Sequence, residues 1–268
     1  MAKQIEFTAK NVKAFTSWLK KFSLIDNTLL LEINNETNEF IAKIYNEERS
    51  VVKFSKIKFD KAGFVVDDKA TTQRVKAGIY NIQKLIKTID HFGDEEFSFI
   101  FKYEEVISDK ETEYAGTSLL LKNKSLKIGV ECTSLNIFKY LPDDLFLNTV
   151  ATVNALVAFE LDKNSIEKIN SLCDLDKDYK FMEFITKDSG IYAKSKTFEY
   201  KVAVTGHKDV KDTKIDLLKD QFNKLDIENY SIELGDDRMV YSSSDSDTIT
   251  VISMVEKDER YDETSSEL

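Results

Sequence analysis

Residues 9–24 read AKNVKAFTSWLKKFSL, and their spacing decides how the rest of the chain is read. Projected at about 100° per residue, Val12, Phe15, Leu19 and Phe22 share one stripe, while Lys10, Lys13, Ser17, Lys20 and Lys21 share the opposite one. The pattern predicts an amphipathic helix over 9–24, with Thr8 able to cap it. No acidic residue lies within it. A solvated face ordinarily mixes signs, because Glu–Lys pairs one turn apart help and like charges cost a few tenths of a kcal/mol each. Four lysines without a neighbouring acid therefore point to an anionic partner.

Outward from this helix, one order of elements recurs four times. Gln4–Phe7 alternates as a strand ahead of it, and Leu29–Ile33, Glu39–Tyr45 and Val51–Phe59 read as strands behind it. A second pass has a strand at Arg74–Tyr80, a helix at Asn81–Phe92 ending at Gly93, and strands at Glu96–Glu104, Thr117–Lys122 and Leu126–Thr133. A third has Ala155–Leu161, a helix over Lys163–Cys173, and strands Tyr179–Thr186, Ile191–Ser195 and Glu199–Thr205. The fourth is read as a helix over Lys214–Leu225, with Thr213 and Asp216 at capping-box spacing, then strands Tyr230–Leu234, Met239–Ser242 and Thr248–Val255. In Glu96–Glu104 the alternation of Phe97, Phe99, Phe101 and Tyr103 with Ser98, Ile100 and Lys102 suits an antiparallel sheet covered on one face. An α+β fold follows. Pro142 is the only proline and marks an extended connection at 134–153, between domains expected at 1–133 and 154–256, with a loose tail at 257–268.

The remaining helices repeat the division of faces. Ile82, Leu85, Ile86 and Ile89 form a buried stripe opposite Lys84, Lys87 and His91. Ile166, Ile169 and Cys173 oppose Asn164, Lys168 and Ser171, and Ile215, Leu218, Phe222 and Leu225 oppose Lys224. The four helical spans together carry about +6 in a chain whose net charge is −10, so charge is segregated by element. The overall sign alone would argue against nucleic acid; the placement of the lysines argues for it.

Composition sets the outer limits. With 268 residues, 42% of them apolar, the chain can bury a substantial core. No apolar run approaches the roughly 18 residues that span a bilayer, and MAKQIEFTAK carries no apolar signal segment, so an intracellular protein without membrane partners is expected. Cys132 and Cys173 stand alone and are expected as buried thiols rather than a disulfide.

The order strand–helix–strands, twice per domain with an extended connector, resembles the sliding clamps of phage, archaea and eukaryotes, of which the proliferating cell nuclear antigen is the familiar example. IYNIQKLIKTID (79–90) resembles that family's second helix, with Lys84 and Lys87 at its DNA-facing positions, and Lys10, Lys13, Lys20 and Lys21 match the basic positions of its first. ITKDSGIYA (185–193) resembles the strand–turn–strand after the third helix, and Tyr140–Pro142 sits where the connector has an apolar residue before proline. Val106–Tyr114 reads as a loop longer than the family's.

The resemblance implies the DNA clamp fold, with four helices per chain lining a central hole and antiparallel sheets outside. It implies a head-to-tail homotrimer closed by Leu126–Thr133 of one subunit against Glu199–Thr205 of the next. Its DNA-binding residues would be Lys10, Lys13, Lys20, Lys21, Lys84, Lys87, Lys168 and Lys224, holding duplex DNA without sequence preference. Its partners would be a DNA polymerase and a clamp loader, whose peptides dock at a pocket formed or bordered by Phe138, Leu141, Pro142 and Phe146. Such a protein works at replication sites, in the cytoplasm of a bacterial host for a phage clamp or in the nucleus for a eukaryotic one. A monomeric or open polymerase accessory scaffold of the same fold is the alternative.

No phosphate-binding loop, HExxH or Cys/His cluster is present, so no cofactor, metal or catalytic residue is expected. His91 and His207 lack recognisable partners, and SSSDSD (242–247) reads as a polar hairpin turn.

Overall fold

The computed structural model describes residues 3–66, 74–107, 112–138, 155–175, 177–188, 190–204, 213–235 and 237–253. The first module runs β1 (Lys3–Ala9), α1 (Lys13–Phe22), β2 (Leu29–Asn34), β3 (Glu39–Tyr45) and β4 (Val51–Lys58), and closes with the single turn α2 (Phe59–Ala62) and β5 (Phe64–Val66). The second is β6 (Arg74–Ile79), α3 (Ile82–Asp90), β7 (Phe97–Ile107), β8 (Thr112–Lys122) and β9 (Lys127–Glu131). The third is β10 (Val157–Leu161), α4 (Lys163–Leu175), β11 (Phe181–Lys187), β12 (Gly190–Lys194) and β13 (Glu199–Val204). The fourth is β14 (Lys214–Leu218), α5 (Lys219–Phe222), β15 (Tyr230–Leu234), β16 (Arg238–Ser243) and β17 (Thr248–Ser253). Every module is βαβββ, so the repeat read from periodicity is present.

The chain divides into two compact units, Met1–Asn46 with Lys53–Phe146, and Glu47–Val52 with Leu147–Leu268. Within each unit the modules exchange their leading strands. In the first, β1 pairs with β7 and β6 pairs with β2, both antiparallel. In the second, β10 pairs with β15 and β14 pairs with β11, again antiparallel. Each module supplies the strand that its neighbour's meander lacks, which is why half a unit could not close its own sheet. β9 is hydrogen-bonded only to β8, and β13 only to β12, among the described residues.

The first core is aromatic. Phe7, Phe15, Phe40, Phe59, Phe64 and Phe99 come from six different elements, all nearly inaccessible to solvent. Their rings meet at 4.7 Å (Phe40–Phe59), 4.9 Å (Phe15–Phe40) and 5.1 Å (Phe7–Phe59), in the edge and tilted geometries that ring quadrupoles favour. The second core has Phe184 against Phe222 at 5.9 Å and Tyr230 against Tyr241 at 6.0 Å.

Three sequence expectations fail here. The helix expected over 214–225 is a strand followed by one helical turn. The segment KIDLLKDQF satisfies both periods, but β11 needs a partner, and Ile215 and Leu217 bury at period two while Leu218 stays half-buried. Thr213 therefore caps nothing: its N–H donates to the Thr186 hydroxyl at 2.7 Å, and Asp216 lies opposite Glu183. Thr8 likewise sits in β1 opposite Ser98, and α1 begins later, after a turn with Asn11 at φ 55°. The loop expected at 106–114 is strand at both ends, with Val106 facing Glu113 and Ile107 facing Thr112; 108–111 lie outside the described residues. SSSDSD does form the turn between β16 and β17, where Asp245 accepts from the Asn229 backbone and side chain.

Candidate nucleic-acid interface

Helix α1 is fixed to the sheet beneath it by two polar side chains of β4. The Trp18 indole donates to the Ser55 hydroxyl at 2.8 Å, and the Lys53 ammonium donates to the Lys21 carbonyl at 3.1 Å. Lys53 and Ser55 are fully buried, on the inward face of a strand that alternates Val51, Lys53, Ser55. Lysine near a helix C-terminus supplies a donor to carbonyls that have no intrahelical partner. Upstream, the turn before α1 rests on Gly63: the Lys10 N–H donates to its carbonyl at 2.9 Å, and a Cβ there would lie 2.5 Å from the Lys10 carbonyl. Gly63 also has φ 86°, so only glycine suits the position.

Helix α3 packs against α1 and runs antiparallel to it. Its N-terminus is tied to the chain just after α1, because the Ile82 N–H donates to the Asn27 carbonyl at 3.0 Å. At the opposite end Lys13, the first residue of α1, pairs with Asp94 beyond the end of α3 at 3.0 Å. Asn81 caps α3, its side chain accepting from the Lys84 N–H at 2.7 Å.

Val12, Phe15, Leu19 and Phe22 of the first stripe and Ile82, Leu85, Ile86 and Ile89 of the second are all buried, with Trp18 beside them. The faces turned outward carry Lys10, Lys13, Lys20, Lys84 and Lys87, exposed, and Lys21, half-buried. Five of the eight lysines singled out in the sequence thus lie on α1 or α3, and Lys10 lies in the turn that precedes α1. Lys13 is not uncompensated, as its own helix alone implied; Asp94 comes from outside the helix and both groups are exposed. Asp90 and His91 are also exposed at this end of α3.

The other two lysines belong to the second unit. Lys168 is exposed on α4, next to Glu167, on a helix whose Ile166, Ile169 and Cys173 are buried. Lys224 follows the single turn α5 and is half-buried, so the helical face assigned to it does not exist. Of the four connector residues, Phe138 is buried against β6: a Cβ on Gly78 would lie 2.7 Å from its ring. It packs as core. Leu141, Pro142 and Phe146 lie outside the described residues, as does His207.

Both cysteines are free thiols, Cys173 buried as expected and Cys132 only half-buried, and burial pushes Cys132 up to about 12. Among the described residues no group of His, Cys, Asp and Glu could hold a metal ion, and no helix is long and apolar enough to cross a membrane.

Solved structures place this frame. The PCNA of A. fulgidus, bound to the C-terminal region of FEN-1, is similar with a TM-score of 0.62 at 10% identity, over 94% of this chain and 99% of that one. PCNA from Entamoeba histolytica gives 0.61 at 11%, over 94% and 99%. The fold is the sliding-clamp fold. The Helicobacter pylori β clamp bound to a DNA ligase peptide gives 0.60 at 13%, over 94% of this chain but only 66% of that one. No protein-family model and no curated protein matches the sequence. The clamp fold is thus built here on its own set of side chains, and functional assignment rests on those residues.

Lys53, Asp94 and the Gly63 turn were not among the residues singled out from the sequence. Lys53 left a signal, a lysine in phase with buried Val51, but a polar residue in an alternating strand ordinarily reads as a solvent position.

Proposed function

We propose that the chain is the processivity clamp of a DNA polymerase, closing as a head-to-tail homotrimer around duplex DNA and catalysing nothing itself. One observation supports this reading: α1 and α3 pack together, and Lys13, Lys20, Lys84 and Lys87 on them and Lys10 just before α1 are exposed, with Lys21 half-buried. Lysines touching phosphates supply sequence-independent attraction. Without an Arg or Asn set reading base edges, the protein holds the duplex without preferring a register, and sliding follows.

β9 and β13 are the edges through which copies would pair, each ending a module with ladder groups to offer. The domains would be 1–133 and 154–256, joined by 134–153, with Lys168 adding to the bore from α4. The PCNA and β-clamp structures that hold FEN-1 and DNA ligase peptides support peptide docking as the mode by which a polymerase and a loader engage. With Phe138 packed inward, that pocket would draw on Leu141, Pro142 and Phe146. The site of action would be the replication fork, wherever the DNA resides.

The test is primer extension with a cognate polymerase. Replacing Lys10, Lys13, Lys20 and Lys21 together by Glu abolishes stimulation while the folded chain keeps its circular dichroism. Stimulation that persists in this variant excludes the assignment.

A further inference from the structure

The two ends of the α1–α3 surface are chemically unlike. Where α1 begins and α3 ends, Lys13 meets Asp94, and Asp90 is exposed nearby in sequence. Where α1 ends and α3 begins, Lys20 and Lys84 are exposed and Lys21 is half-buried, and Asp26 in the loop after α1 is half-buried with its carboxylate accepting from the Thr28 N–H at 2.8 Å. That basic end also carries two exposed apolar side chains, Leu24 at 54% and Tyr80 at 69% exposure. The Tyr80 backbone is tied to the loop that follows α1: the Thr28 hydroxyl donates to the Tyr80 carbonyl at 3.4 Å, and the Asn27 carbonyl accepts from the Ile82 N–H at the N-terminus of α3.

An exposed aromatic ring beside a lysine cluster matches single-stranded nucleic acid, because a base has a π-face to stack and phosphates that lysines attract. We propose that Tyr80 stacks an unpaired base, so that this end of the helix pair recognises the junction between duplex and single-stranded DNA. Lys20, Lys21 and Lys84 hold the adjoining phosphates. This rests on the DNA-clamp reading and adds a polarity to it: the chain distinguishes a junction from uninterrupted duplex.

The experiment compares a blunt duplex with one carrying a short overhang whose first unpaired base is 2-aminopurine, using the full chain at low salt. The overhang duplex binds about tenfold tighter, the worth of one base stack, and the 2-aminopurine fluorescence is quenched. Tyr80→Phe keeps the preference, since the ring remains, whereas Tyr80→Ala brings the overhang duplex down to the affinity of the blunt one. Equal binding of the two duplexes, or a preference surviving in Tyr80→Ala, overturns the junction proposal alone. Failure to bind either duplex overturns the DNA-clamp reading and this proposal with it.

Discussion

The Lys53 ammonium reaches the Lys21 carbonyl at 3.1 Å from a side chain with no solvent exposure. A buried donor from the sheet thereby anchors the last turn of the helix whose opposite face carries Lys20. The buried donor and the outward cations belong to one device: the first fixes the turn that displays the second.

Lys53→Met removes the donor and leaves the carbonyl in a buried setting, which costs about 1–3 kcal/mol. Urea denaturation of the full chain shows the loss as a lower midpoint at unchanged slope. An unchanged midpoint means that the contact contributes nothing to holding α1.

Salt dependence tests which of the lysines proposed to face DNA do so. Lys20→Ala and Lys84→Ala each reduce the slope of log affinity against log salt by about one, as expected for one lost phosphate contact. Lys224→Ala leaves the slope where it was, because no helical face presents that residue. A slope that falls in Lys224→Ala, or holds in the other two, reverses the assignment.

Much of this was legible in residues 9–24 and 79–92, where period-3.6 stripes of large apolar side chains leave one solution. The fourth module was not, because KIDLLKDQF is consistent with helix and strand alike and only the need of β11 for a neighbour decides between them. The pairing of Lys13 with Asp94 was invisible for the same kind of reason: its partner lies 81 positions away and is brought near by the packing of α1 on α3. Local pattern determines which side of a helix is buried; which residues meet across helices is set by the sheet.

Asp94 moderates the basic surface. Both members of the Lys13–Asp94 pair are exposed, so the pair adds little to stability. Asp94→Asn leaves the melting midpoint unchanged but frees Lys13 and removes a like charge from the path of phosphates. Duplex binding tightens about two- to threefold at low salt, and the gain disappears at high salt where exposed charges are screened. A gain that survives high salt would require another cause.

The proposed trimer closure through β9 can be tested without harming the subunit. Gly129 is exposed on that edge strand, and a Cβ built there meets nothing within 4 Å. Gly129→Trp is therefore tolerated by the isolated chain and obstructs a strand approaching from another copy. Light scattering gives a mass near three times 30.8 kDa for the parent and near 30.8 kDa for the variant. Equal masses remove β9 from the interface.

Lys43 gives the stability curve a recognisable feature. Burial disfavours its charged form and outweighs the attraction of Glu32, bringing its pKa down to about 8. In the unfolded chain lysine keeps its proton to higher pH, so between about 8 and the ordinary lysine value the unfolded state binds more protons than the folded one. By linkage, this residue's contribution to stability rises with pH through that window, and the folded state bears the cost of the buried charge below it. The difference in unfolding free energy between the parent and Lys43→Met therefore shifts in favour of the parent as pH is raised from 7 to 10. A difference that stays flat over that range shows that Lys43 titrates alike in both states.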